Sequence, residues 1–173
     1  MPDRVGMFID GPNLYGGASD LLGDGRLNIV SLSAYLANGR PITEFVYWQG
    51  QLKQDVDATR YANQQRFFAD LEKRIPNARI GRATLKPRGR GQWVEKGVDV
   101  GVALDTAIGA VKDRWDVAVV VSGDGDLAGL GPLLRRLGKR LEVVYCEGSL
   151  SGLLEDQADA MRKLDAKTLR YYR

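Results

Sequence analysis

The chain has 173 residues with 25 Lys and Arg against 22 Asp and Glu, a net charge of +3. That length fits one domain around one core, read as residues 1–173. The mild positive charge allows a polyanionic partner without requiring one. Histidine is absent and Cys146 is the single cysteine. These two facts exclude Ser-His and Cys-His nucleophilic pairs, histidine acid–base cleavage of RNA, an intrachain disulfide and the usual zinc ligand sets. Chemistry here must run on carboxylates, lysine, hydroxyls or a cation held by oxygen ligands, for which Mg2+ and Mn2+ are the natural choices.

Residues 5–9 (VGMFI) form a short apolar run that predicts a buried strand. Asp10-Gly11-Pro12-Asn13 ends it as a turn signal, and a Gly- and Asp-rich loop is expected through Gly25. Asn28 is placed to cap a helix over 29–37. A second strand is expected at 42–48, a long helix at 58–75 and a third strand at 78–85. Residues 86–91 read as a basic loop, and 92–94 as a short return strand. A helix follows over 97–111, with Val98, Val102, Ala107, Ile108 and Val111 as its core face. The most apolar strand is 115–121, broken by Ser122-Gly123-Asp124-Gly125-Asp126. A helix over 127–137, a strand at 141–145 and helical pieces from about 150 to 164 complete the pattern.

No stretch is apolar for long enough to span a bilayer, and residues 1–10 lack the zones of a signal peptide, which places the chain in the cytoplasm as an expectation. Alternating strands and helices predict a three-layer α/β/α domain around a mostly parallel sheet of about five strands, order 3-2-1-4-5. That order puts the strands 5–9 and 115–121 side by side and makes a topological switch point between their carboxyl ends, where ligands bind. Asp10 and Asp124 follow those two ends.

Taken singly, each acid has an ordinary explanation. Asp10 is a turn former. Asp124 or Asp126 is a helix cap. Asp99 complements a helix N-terminus. Together, three segments bring acids to one crevice, where mutual repulsion calls for a compensating cation. Asn13 is placed to add a carbonyl oxygen or orient a phosphate, and Ser122 to donate a hydrogen bond. Asp105 lies six residues beyond Asp99, about 240° around the helix, so the two cannot serve one spot; a structural role suits it.

Residues 79–96 hold Arg79, Arg82, Lys86, Arg88, Arg90 and Lys96 against one acid, Glu95, with Trp93 among them. Such a stretch can pair phosphates while an aromatic ring stacks on an unpaired base; a solvated hairpin with a packed Trp is the plainer alternative. Arg135, Arg136, Lys139 and Arg140 end a helix and read as surface. Tyr15 reads as packing, and Cys146 as an inert thiol.

The segments DGPNL (10–14), KGVDVGVALD (96–105) and SGDGDL (122–127) resemble, in order and spacing, the three blocks of the NYN domain, in the PIN-like branch that includes LabA-like bacterial proteins. The likeness implies a PIN-like fold and a ribonuclease dependent on Mg2+ or Mn2+. Asp10, Asp99, Asp124 and Asp126 would be its metal-holding catalytic acids. Asn13, Lys96, Ser122, Arg88, Arg90 and Trp93 would contact RNA. The implied reaction is phosphodiester hydrolysis by an activated water, leaving a 5′-phosphate and a 3′-hydroxyl. Gly125 departs from the Ser common in relatives, which removes one hydroxyl. A non-catalytic RNA-binding or regulatory role is the second reading, since some members act as regulators. A homodimer would extend a basic groove. A haloacid-dehalogenase-type phosphatase is disfavoured because Pro12 stands where that chemistry needs an Asp, and no G-x-G-x-x-G follows the first strand.

Overall fold

The structure, a computed structural model, describes residues 1–89 and 92–173. Its first strand, β1 (Val5–Asp10), is buried along its whole length. β2 (Ile42–Gly50) pairs with it in parallel on one side and β5 (Val117–Val121) on the other. β3 (Ala78–Gly89) adds to β2, and β6 (Arg140–Cys146) adds to β5, both parallel. Continuous Val, Ile and Phe runs fit strands covered on both faces. Trp115, in the approach to β5, is fully buried and meets Phe8 edge to face at 5.8 Å.

The expected five-strand sheet of order 3-2-1-4-5 needs correction. Among the described residues the sheet has seven strands in the order β4-β3-β2-β1-β5-β6-β7. The difference lies at the two edges. β4 (Gln92–Lys96) folds back antiparallel on β3, which makes the sheet mixed. β7 (Ala160–Leu164) runs parallel to β6, where helix was expected. Helix propensity around 160–164 yields to edge pairing that buries Leu164 fully.

A second correction concerns residues 11–25. They do not form a loop throughout: α1 (Gly11–Leu22) starts at once after β1. Asp10 is its N-cap, accepting from the Asn13 amide, and Pro12 sits in the first turn, where a missing N–H costs nothing. Leu14 and Ala18, four apart, are buried. The Asp-Gly-Pro-Asn signal is therefore a helix start, and Gly23 closes the helix in the left-handed conformation with φ 77°.

α1, α2 (Ile29–Ala37), α3 (Ala58–Arg74) and α7 (Ala166–Tyr171) share one core with the sheet. α4 (Val98–Val111), α5 (Leu130–Arg136) and the short α6 (Gly152–Glu155) share the other. The core face of α4 is Val98, Gly101, Val102, Thr106, Gly109 and Ala110. Ile108 and Val111, expected inside, are exposed together with Val100 and Leu104. The helix approaches the sheet through glycines rather than through its largest side chains.

Trp48, near the end of β2, sets that close approach. A Cβ on Gly101 would lie 2.5 Å from the Trp48 ring, so only glycine lets α4 rest against it. The indole Nε1 donates to Asp105 Oδ2 at 2.7 Å, and Arg79 pairs with the other oxygen at 2.6 Å. Asp105 thus ties α4 to β2 and β3, which fixes the position of its first turn.

Candidate active site

Every strand of the parallel core ends at the same edge of the sheet, and Asp10 stands at the end of β1 with only 5% exposure. Its Oδ1 accepts the Asn13 N–H at 3.1 Å and its Oδ2 accepts the Ser122 hydroxyl at 3.1 Å. Burial pushes its pKa above the usual carboxylate value; the two hydrogen bonds pull it down, and the charges of Asp124 and Asp99 push it up again. Asp99 and Asp124, from two other segments, thus both act on Asp10.

Asp124 follows β5 and opens a 3₁₀ turn, Gly125–Leu127, by accepting the Asp126 N–H at 3.0 Å. The buried Ser122 hydroxyl gives its proton to Asp10 and accepts the Asp124 N–H at 3.2 Å, so it positions both acids. Asn13 uses its side-chain oxygen to accept the Gly123 N–H at 3.0 Å, locking the start of α1 onto the loop after β5. Asp99 is half-buried in the first turn of α4, and Asp126 is exposed in the 3₁₀ turn. Asp126 is not among the charges that act on Asp10.

Glu95 was not among the sequence candidates, yet it belongs to this group. It is half-buried on β4, and its Oε2 accepts the Gly50 N–H at 2.8 Å. Burial raises its pKa, the Gly50 bond lowers it, and Asp10's charge raises it further. The sequence signal was its place one residue before Lys96-Gly97, in the strand that leads into α4; the surrounding cations masked it.

The basic stretch divides. Arg79 is engaged with Asp105, and Arg82 with Gln51 Oε1 at 2.9 Å. Lys86 and Lys96 are exposed, with no hydrogen-bond or ion-pair partner among the described residues. Arg88 and Trp93 fall on β3 and β4 by their backbones. Arg90 lies outside the described residues. At the other end of the sheet, Arg135 bonds Gln157, Lys139 pairs with Asp113 and Arg140 with Asp3. Cys146 is buried, which pushes its thiol up to about 11 and leaves it unreactive. Tyr15 is 51% exposed.

The side chains gathered around Asp10 offer oxygen donors, which suit a hard cation. Among the described residues no group of three or more acidic, histidine or cysteine side chains stands close enough to hold a metal by itself. The arrangement fits an ion of the Mg2+ kind, which is commonly held by one or two carboxylates and completed by waters and substrate phosphate.

The sequence of residues 4–165 matches the NYN domain, nearly the whole chain. The chain belongs to the NYN domain family. NYN domains are nuclease-like, with a PIN-like fold, and the α/β architecture here agrees with it. Among solved structures, this NYN domain is similar to a protein of unknown function from Vibrio parahaemolyticus RIMD 2210633, with TM-score 0.75 and 19% identity over 95% of this chain and 94% of that one. That likeness concerns the fold. No curated protein matches the chain. No helix among the described residues is long and apolar enough to cross a membrane.

Proposed function

We propose that this NYN domain is a metal-dependent ribonuclease that hydrolyses RNA phosphodiester bonds. The observation that carries the reading is Asp10: a buried carboxylate facing the charges of Asp99 and Asp124 at the switch point of the sheet. Buried like charges are costly unless a cation neutralises them. One or two of Asp10, Asp99 and Asp124 would hold Mg2+ or Mn2+ together with waters and a substrate phosphate, with Glu95 nearby and Asp126 at the rim. Such an ion, when bound, supplies Lewis-acid stabilisation of the phosphate and a low-pKa water.

The chain's own residues then have separate tasks. Ser122 and Asn13 hold Asp10 and the loop after β5 in register. Asn13 keeps its side-chain NH2 free of partners among the described residues, available to a phosphate oxygen. Lys96, exposed beside α4, supplies a cation for the strand, and the exposed Lys86 extends that charge along β3. Salt-sensitive affinity for single-stranded RNA follows from such phosphate contacts.

Product analysis tests this reading. Hydrolysis by this route leaves a 5′-phosphate and a 3′-hydroxyl on cleaved RNA. A 2′,3′-cyclic phosphate product, or cleavage that persists in EDTA, would sink it.

A further inference from the structure

Beside Asp10, on the opposite face of the sheet from α4, lies a cavity of about 330 Å³ bounded by α1, the 25–29 segment, β2 and α3. Its walls are aromatic and aliphatic: Tyr47 and Phe67 meet edge to face at 5.2 Å, with Leu14 and Leu27 around them. Arg26, paired with Asp24, and the exposed Tyr15 also line it, and two further polar side chains interrupt the apolar wall. The Tyr47 side chain is 6% exposed, and its hydroxyl has no hydrogen-bond partner among the described residues. The Gln49 amide, half-buried two residues further along β2, has none either. Both groups are therefore open to a ligand that enters the cavity.

Tyr47 links the cavity to the acidic site. A Cβ on Gly11 would stand 2.8 Å from the Tyr47 hydroxyl and 2.7 Å from the Trp48 carbonyl, so Tyr47 touches the residue that follows Asp10. Burial, then the charges of Glu95 and Asp10, raise the Tyr47 pKa and keep it a neutral donor. The space falls in the size range of small-molecule sites, and its few convergent polar groups match them. A flat heteroaromatic ring carrying donors and acceptors on its edge satisfies both features: the aromatic walls offer stacking, and Tyr47 and Gln49 offer edge contacts.

We infer that this cavity takes one unpaired nucleobase of the RNA strand whose phosphate lies at Asp10. The inference rests on the ribonuclease reading and adds to it. The enzyme would cut single-stranded RNA next to a base turned out of the stack and would exclude paired RNA. Gln49, with one donor and one acceptor face, would set which base is preferred.

Binding of a labelled seven-nucleotide single-stranded RNA in EDTA tests this, by anisotropy, with an abasic unit moved one position at a time. One position should weaken binding about ten-fold or more, as expected for a stacked base, and the others much less. In Leu27→Trp, whose indole fills the cavity, that single penalty should vanish. Gln49→Leu, a mild change at a half-buried site, should keep the penalty but flatten the ranking of the four bases there. Cleavage of the same oligonucleotide with Mn2+ is measured in parallel. Metal-dependent cleavage with a flat abasic profile, or a profile unchanged by Leu27→Trp, overturns the base site alone. Neither binding nor cleavage overturns both readings.

Discussion

Ser122 donates its hydroxyl to the Asp10 carboxylate across 3.1 Å, and that bond joins the ends of two neighbouring strands, β1 and β5. It is one of two contacts that favour the charged form of an otherwise desolvated acid. Ser122→Ala removes it and leaves the Asp124 N–H without its acceptor. The Asp10 pKa should then rise further, so the acidic limb of the cleavage profile should move to higher pH. Rates measured between pH 5 and 8 check this; an unmoved limb would mean that Asp10 does not control the reaction.

Asp10→Asn should stabilise the metal-free fold while abolishing activity. A carboxyl whose folded pKa lies above its ordinary 3.8 contributes stability that is full below that value and lost as pH rises through the folded pKa. At neutral pH the charged, repelled form burdens the native state. Thermal melting in EDTA should therefore show Asp10→Asn higher by a few degrees at pH 7, with the gap shrinking towards pH 4. Comparing the pair cancels groups of opposite sign, such as Asp116, whose carboxyl Arg4 holds well below the usual range. A variant that melts lower at pH 7 would contradict the repulsion argument.

Glu95→Gln should keep the fold, because the amide oxygen can still accept the Gly50 N–H. It should weaken the Mn2+ dependence of cleavage about ten-fold or more, as supporting groups around a metal commonly do. Titrating activity against Mn2+ gives the answer. An unchanged curve would remove Glu95 from the site.

Asp105→Ala should leave the Trp48 N–H and the Arg79 guanidinium unpaired and loosen α4 from the sheet. The expected loss is about 1–3 kcal/mol, measured by urea denaturation. Asp99 rides on the same helix, so activity should fall as well, by less than in Asp10→Asn.

The switch point was legible because it depends on burial: the apolar runs around Phe8 and Val120 place β1 and β5 at the centre, and Asp10 and Asp124 follow directly. The edges were not, since short strands such as Ala160–Leu164 bury little and take their form from a neighbour. α1 was misread because Asp-Gly-Pro-Asn serves equally as a turn and as a capped helix start. Glu95 escaped for a different reason. Its role depends on the β3–β4 hairpin folding it towards Gly50 and Asp10, a relation between residues 45 and 85 positions apart. The core face of α4 was misassigned because glycine contact with Trp48 and Trp115 outweighed side-chain size.

The most direct test is cleavage of labelled single-stranded RNA by the purified protein with Mn2+ or Mg2+. EDTA and the Asp10→Asn/Asp124→Asn double variant serve as controls. Cleavage should disappear on chelation, return when the metal is restored, and be absent from the double variant. Undiminished cleavage by that variant, or none by the wild type on several RNAs that it binds, would contradict the ribonuclease reading.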